Sequence, residues 1–336
     1  MASRKILVVG ATGKQGGAFV RAATEARKAE GAPKDGFHLI ALTRNTSSPA
    51  ARELAALGDH VSVVSADLNN ANSVRKVFED EKAKPEGGIW GVFMVLAFPG
   101  LGVDGSGEEA QGKLVTDLAC EFNVQQFLYS SSDRAHDSRD EHATLSHLAK
   151  VNIEENIKSK QGLSWTIIRP VYFMEIFEGL VGRVTFSVVR SGLKKDTKLQ
   201  LVAADDIGRI AYAIMRSPDA YAGQCITIAG DVLTVRGMQD AYGRGAGSAM
   251  PAVPSMLASG ITAMNKHIRG VVETMEDVHA ARVEHGISSE DLIAKSREIC
   301  PEMHTFESWA KVHSSKAEQT SGWNGVSMKS LLSGSL

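Results

Sequence analysis

The amino-acid sequence predicts an α/β fold, in which a doubly wound parallel sheet carries a smaller mixed α/β lobe towards its C-terminus. Two observations predict it. Short apolar runs rich in β-branched residues alternate with helical patterns up to residue 170, and they lack the polar alternation of a half-exposed strand. Strands covered on both faces by crossover helices read in this way. The first run, Ile6-Leu7-Val8-Val9, passes directly into Gly10-Ala11-Thr12-Gly13-Lys14-Gln15-Gly16-Gly17, a strand breaking into a glycine turn at the mouth of a helix.

In chain order, the expected strands are residues 5–9, 38–43, 61–65, 91–97, 126–131 and 165–169, with helices at 16–29, 50–57, 72–81, 108–121 and 145–159. The turn-rich segment 31–36 reads as a surface loop. Beyond Pro170 the regular alternation fades, which sets a dinucleotide-binding domain of 1–170 against a smaller partner or substrate lobe of 171–315. Within that lobe, 199–202 reads as a strand, Asp205-Asp206-Ile207 as the start of an aspartate-capped helix ending at Arg216, and 224–229 as a strand able to rejoin the main sheet. The glycine- and proline-rich stretch 243–254 reads as a mobile loop beside the substrate pocket. Helical patterns follow at about 256–278, 289–300 and 305–312, and 316–336 reads as a flexible tail unless Trp323 docks it.

Composition narrows the functions. With 336 residues, 43% hydrophobic and 23% charged, the chain suffices for one large α/β domain and a lobe. A formal charge of −2 gives no general attraction for nucleic acid, so a role near DNA would run through another protein. Cys120, Cys225 and Cys300 are too scattered for a metal motif or a disulfide framework, and each reads as a small buried hydrophobe in a reducing compartment. Met1-Ala-Ser-Arg4 leads into the first strand without a separate apolar region and cleavage site, which points to the cytoplasm and leaves the nucleus open. The longest apolar stretch, 89–98, is about half the ~20 residues that span a bilayer, so no membrane attachment is expected.

The glycine turn predicts a bound dinucleotide. Its first glycine permits a tight bend, the second lets backbone approach a pyrophosphate, and Gly16 lets helix pack on strand, while the helix start offers N–H groups and the positive end of a dipole. An acidic residue at the end of the second strand would select NAD. The sequence has Thr43-Arg44-Asn45 there, and a guanidinium can bond a 2′-phosphate and stack on adenine, so NADP(H) is preferred and NAD(H) remains possible. Thr46, Ser47 and Ser48 could add hydroxyl donors. Asp67, followed by Leu68, is placed to accept from the adenine amino group, and Ala97-Phe98-Pro99 would pass the adenosine ribose.

The chemistry is less complete than the cofactor site. Short-chain dehydrogenases use Tyr-x-x-x-Lys, in which the lysine lowers the tyrosine pKa for proton exchange. Here Lys150 is present, but the position four before it is Ser146. Tyr129 precedes Ser130-Ser131-Ser132 at the end of the fifth strand and has no lysine at that spacing. His147 has a suitable pKa, yet one residue of offset rotates it about 100° from the tyrosine slot, so it reads as a surface or site-lining residue. His136 and His142 read as solvated loop residues, and no metal site is expected.

Taken together, these segments resemble the NmrA-like family of atypical short-chain dehydrogenases, which includes fungal nitrogen-metabolite repressors and a mammalian NADPH sensor. The likeness is carried by the Gly10–Gly17 turn, Leu42-Thr-Arg-Asn45, the 111–119 and 150–155 segments, Thr166-Ile-Ile-Arg-Pro-Val-Tyr-Phe-Met-Glu175, Asp205-Asp-Ile-Gly208, Tyr221-Ala-Gly-Gln224 and Thr305-Phe-Glu-Ser-Trp309. The resemblance implies cofactor contacts at Gly10 to Gln15, Arg44, Asp67, Leu68, Ala97, Phe98, Lys150, Val171, Tyr172 and Phe173, and Gly16 and Asn45 are expected among the cofactor-binding positions with them. Two positions depart from the family pattern: Ser146 stands where members often have His, and Ile176 where they often have Asn. The resemblance thus implies an NADP(H)-binding sensor with little or no dehydrogenase activity, regulating a partner such as a transcription factor and free to form a homodimer. The alternative is an NADPH-dependent reductase of a small specialised metabolite that uses Lys150 without a catalytic tyrosine; an apolar, enclosed cavity beside the nicotinamide would favour it.

Overall fold

The computed structural model describes residues 3–29, 36–100, 102–254, 256, 260, 263 and 265–314. The predicted apolar runs form strands β1 (Arg4–Val9), β2 (Phe37–Thr43), β3 (Val61–Ser65), β4 (Gly91–Val95), β5 (Gln126–Ser130) and β6 (Trp165–Pro170). Two short strands follow, β7 (Tyr172–Phe173) and β8 (Lys198–Val202), then β9 (Gln224–Ile228) and β10 (Asp231–Thr234). The main sheet runs β3-β2-β1-β4-β5-β6-β9, and every pairing in it is parallel. The smaller sheet, β10-β8-β7, pairs β8 antiparallel to β10 and parallel to β7.

The absence of polar alternation in β1 has a direct cause. Ile6 and Val8 enter the core on one face of the sheet, while Leu7 and Val9 enter a second core on the other. Helices α1 (Lys14–Ala29) and α7 (Ala204–Arg216) cover the first face through Phe19, Val20, Ile207, Ile210 and Ile214. Helices α3 (Ala71–Lys82), α4 (Ser106–Glu121) and α5 (Leu145–Lys158) cover the second through Val74, Phe78, Val115 and Ile153. The short α2 (Pro49–Ala55) precedes β3 and is capped by Ser48, whose Oγ accepts from the Ala51 N–H at 3.2 Å. A third core around Met174, Phe186, Leu199, Met238 and Trp309 joins the small sheet to α6 (Gly179–Gly192), α8 (Val235–Ala246) and α11 (Phe306–His313). Helices α9 (Lys266–Glu284) and α10 (Ser289–Ile299) complete the chain as described.

Several expectations give way here. The stretch 243–254 is not all loop: α8 continues to Ala246 and ends on left-handed Gly247. Gly245 belongs inside that helix because any Cβ there would collide with the Glu307 carbonyl, so the glycine serves close packing of α8 on α11. The start of α7 has no aspartate cap. Its N-cap is Ala203, and the Ala204 N–H is met from a distance by Glu175 Oε1 at 3.0 Å. Burial raises the Glu175 carboxyl to about 7. Asp206 is buried and instead accepts from the His304 backbone N–H at 2.7 Å, tying the C-terminal segment to α7. Cys225 is exposed on β9, Cys120 half-buried and only Cys300 buried. The loop expected at 31–36 lies almost wholly outside the described residues, as do the expected tail with Trp323 and most of 256–264. Among the described residues, no helix is long and apolar enough to cross a membrane.

Candidate functional site

The chain leaves β1 in one direction to reach β2 and returns across it to reach β4, so a crevice opens where the strand order reverses, at the carboxyl ends of β1 and β4. The glycine turn lies in that crevice. Gly10 has φ +75°, and a Cβ on it would overlap the Val95 carbonyl oxygen. The Gly13 N–H closes the turn onto the Gly10 carbonyl at 3.0 Å. Helix α1 starts at Lys14, and its first-turn N–H groups have no carbonyl to bond within the helix. A turn of this form can hold a diphosphate.

A cavity of about 830 Å³ runs from this turn towards the second lobe. It is lined at one end by Gly10, Thr12, Gly13, Lys14, Gln15, Arg44, Asn45, Ser48, Asp67, Leu68, Ala97 and Phe98, and further along by Lys150, Val171, Tyr172 and Phe173. Of the residues read from the sequence as cofactor contacts, Ala11 and Gly16 do not line it. Ala11 is fully buried, and Gly16 is pressed against the Gly10 carbonyl so closely that only hydrogen fits. Both therefore shape the turn from behind. Thr46 and Ser47 are likewise absent from the lining.

The charge pattern at the polar end suits a phosphorylated dinucleotide. Arg44 is exposed and has no ion-pair partner among the described residues. Its loop is shaped by Asn45, whose Oδ1 accepts from the Ser47 N–H at 2.9 Å. Asp67 is exposed, with one oxygen accepting from the Asn69 N–H at 3.0 Å. Lys14 reaches across to Glu178 at 3.2 Å, next to the start of α6. Gln15 Oε1 accepts from Ser130 Oγ at 2.6 Å and so fixes the turn to the end of β5.

Beyond Lys150 the residues with chemistry are Ser131, Ser132 and His147. Lys150 is paired with Glu108, whose side chain is 2% exposed and whose other oxygen has no partner among the described residues. An ammonium has three donors, so this pairing orients Lys150 and leaves hydrogen-bonding capacity for a ligand. Ser132 Oγ is buried with no hydrogen-bond partner among the described residues. His147 is half-buried, and burial, then Lys150 and Arg134, lower its pKa, so the ring is neutral at neutral pH. Ser146, in the tyrosine slot, is buried away from the cavity lining. Neither nearby tyrosine replaces it. Burial and the Glu108 charge push the Tyr129 hydroxyl well above its ordinary value, and burial and Asp133 do the same to Tyr172.

Beneath this wall lies a charged lattice that sequence reasoning did not find. Glu154 on α5 accepts from Ser131 Oγ at 2.5 Å, Arg134 at 3.1 Å and Arg169 at 2.5 Å. Burial opposes its charge, but the hydrogen bonds from Arg169 and Arg134 outweigh it and hold the carboxyl at about 2. His136 is exposed, as expected of a solvated loop residue, and its ring also stacks on His285 at 3.8 Å between centroids. The His142 side chain lies outside what the structure describes. The far wall also departs from expectation. Residues 243–254 do not line the cavity, whose apolar end is formed by α6 and α9.

The model of the NmrA-like family matches residues 2–310. The chain belongs to the NmrA-like family. NmrA-like family domain-containing oxidoreductases of Aspergillus hancockii and Penicillium ochrochloron are each 27% identical to it, over 253 and 263 residues. The alignments cover 69% and 72% of this chain, and 69% and 73% of those proteins. Among solved structures, NmrA, a negative transcriptional regulator in complex with NADP, matches 93% of this chain and 95% of its own with a TM-score of 0.65 at 18% identity. Triphenylmethane reductase of Citrobacter sp., complexed with NADP(H), matches 92% and 99% with a TM-score of 0.65 at 16% identity. At such identities these structures speak for the shared fold, in which the family's doubly wound sheet is common to a regulator and a reductase.

Proposed function

We propose that this NmrA-like protein is an NADP(H)-dependent oxidoreductase acting on a small molecule held beside the cofactor. The observation that carries the reading is the cavity, which continues past Tyr172 and Phe173 into an apolar chamber instead of closing over the dinucleotide end. An apolar chamber beside a few convergent polar groups is the usual form of a small-molecule site. In this reading Gly10 to Gln15 hold the diphosphate, Arg44 the 2′-phosphate, Asp67 and Leu68 the adenine, and Ala97 and Phe98 the adjoining ribose. Lys150 and Val171 to Phe173 hold the nicotinamide end. NAD(H) fits the same turn but gives Arg44 no phosphate to bond.

Bound NADPH would supply a hydride equivalent. The chain's part is to orient the substrate and handle a proton. Lys150, steered by Glu108, can bond the ribose and a second acceptor. The relatives named as oxidoreductases support the same reading. Purified protein should consume NADPH with members of a carbonyl and enone panel, and Lys150→Ala should lower kcat/KM about 100-fold. Full turnover by that variant overturns the assigned role of Lys150.

A second reading, a cofactor sensor that regulates a partner, is favoured by the displaced Ser146 and by the likeness to a transcriptional regulator. Calorimetry separates the two. Silence across the substrate panel together with clear discrimination between NADP⁺ and NADPH supports the sensor and sinks the enzyme.

A further inference from the structure

We propose that the chamber between α6 and α9 takes the uncharged, aliphatic body of a substrate whose single polar end lies towards Lys150, so that the protein selects neutral molecules and rejects those charged at the far end. The proposal rests on the oxidoreductase reading and adds the substrate class.

The walls come from two helical stripes. Val181, Val184 and Val188 recur at one-turn spacing on α6, and Ile268, Val272 and Met275 do so on α9. Val184, Val188, Ile268 and Val272 are shielded from bulk water and form one apolar cluster. Thr185 is the one hydroxyl on these walls, and it donates to the Val181 carbonyl at 3.0 Å. No charged side chain from α6 or α9 lines the cavity among the described residues, whereas Lys14, Arg44, Asp67 and Lys150 all lie towards the dinucleotide end. A carboxylate or ammonium placed in the chamber would lose its hydration and gain no partner. The walls are also aliphatic in character, since Tyr172 and Phe173 stand at the neck, and β-branched side chains have few alternative rotamers with which to remould the space.

The wall is held in place, which matters because a loose wall could open to let water follow a charge inside. Arg282 at the C-terminal end of α9 is paired with Asp133, just after β5, at 2.5 Å, and both side chains are buried. His285 stacks on His136 beside it, with Ser138 Oγ within 3.0 Å of one ring and 3.3 Å of the other. The same loop carries Ser132, a residue of the cavity lining whose hydroxyl is itself buried without a partner among the described residues. One oxygen acceptor at the Lys150 end and a hydrocarbon body beyond it satisfy both halves of the site.

The test is calorimetric titration of the NADP⁺-loaded protein with two probes, a straight-chain methyl ketone and the keto acid of equal length that carries a carboxylate at the opposite end. The ketone should bind about 100-fold more tightly or better. Thr185→Lys, checked for folding by unchanged NADP⁺ affinity, should reverse the preference. Equal affinities for the two probes in the unmodified protein, or no binding of the ketone, overturn the proposal without recourse to the variant. Because binding is read apart from turnover, a ketone that binds tightly but belongs to a panel that never consumes NADPH upholds the chamber's selectivity and sinks the oxidoreductase reading.

Discussion

At the scale of single residues, the polar end of the cavity is set by side chains whose proposed roles follow from what surrounds them. Arg44 is exposed and unpaired among the described residues at the rim of the cavity, so its charge is available to a 2′-phosphate. Arg44→Ala should weaken NADPH binding by about 1.5–3 kcal/mol, the value of a charge-assisted hydrogen bond, and leave NADH binding nearly unchanged. Calorimetry of both cofactors with both proteins measures this directly, and equal losses for NADPH and NADH would remove Arg44 from phosphate recognition. The residues at this end were legible in the sequence because their signals are local: a strand, a turn and a helix start within a few positions, then single residues at strand ends. The partner of Lys150 was not. Glu108 is 42 positions away, and only the packing of α4 against α5 brings the two together. The isolation of the Ser132 hydroxyl was hidden for the same reason, since a run of three serines does not reveal that the side chain of Ser130 bonds Gln15, that of Ser131 bonds Glu154 and that of Ser132 bonds nothing among the described residues.

At the scale of elements, α5 does two jobs. One side of it places His147 and Lys150 on the cavity, and further along Glu154 clamps the segment after β5 to β6 through Arg134 and Arg169. The folded carboxyl titrates at about 2, below its ordinary value of about 4.3 in an unfolded chain. The clamp therefore stabilises fully above the higher of these values and is lost as pH falls from about 4.5 towards 2, with a contribution of the order of 3 kcal/mol. Glu154→Gln should cost a similar amount at neutral pH, because two guanidinium groups lose their buried counter-charge, and it should flatten the acid limb of the stability profile. Urea unfolding across pH 2 to 7 tests both statements; a variant with the parent's acid limb would show that other carboxylates govern it. The main-sheet elements were readable from their period. The walls of the chamber were not, because the glycine-rich composition of 243–254 reads as a loop beside the pocket. In the structure Gly245 is a packing residue, and the valines of α6, which look like ordinary core, face a cavity.

At the scale of the whole molecule, the two halves of the chain are joined by backbone and by helix packing. α7 lies on α1, and a Cβ at Gly208 would approach Ala18 Cβ to 2.6 Å. Gly208→Ala should thus force the helices apart at a cost of about 2 kcal/mol, and should weaken cofactor binding because α1 begins at the glycine turn. Gly270→Ala, at a helical position with nothing within 4 Å of the added carbon, should instead stabilise by about 0.5–1 kcal/mol. Thermal unfolding of the pair separates steric conflict from helix propensity; a Gly208→Ala protein as stable as its parent would show that the contact yields freely.

The placement of β9 beside β6 bears on how the chain is made. A cradle assembled from the first hundred residues has to wait, as the polypeptide emerges, for residues 204–228 to supply both the helix that covers α1 and the last strand of the sheet. Until then the growing protein carries the bare edge of β6 and the uncovered apolar side of α1, two surfaces that invite wrong partners. Nucleotide captured early by the nascent turn would have little to hold it. The sheet that the first strand began is closed only once the returning strand has emerged.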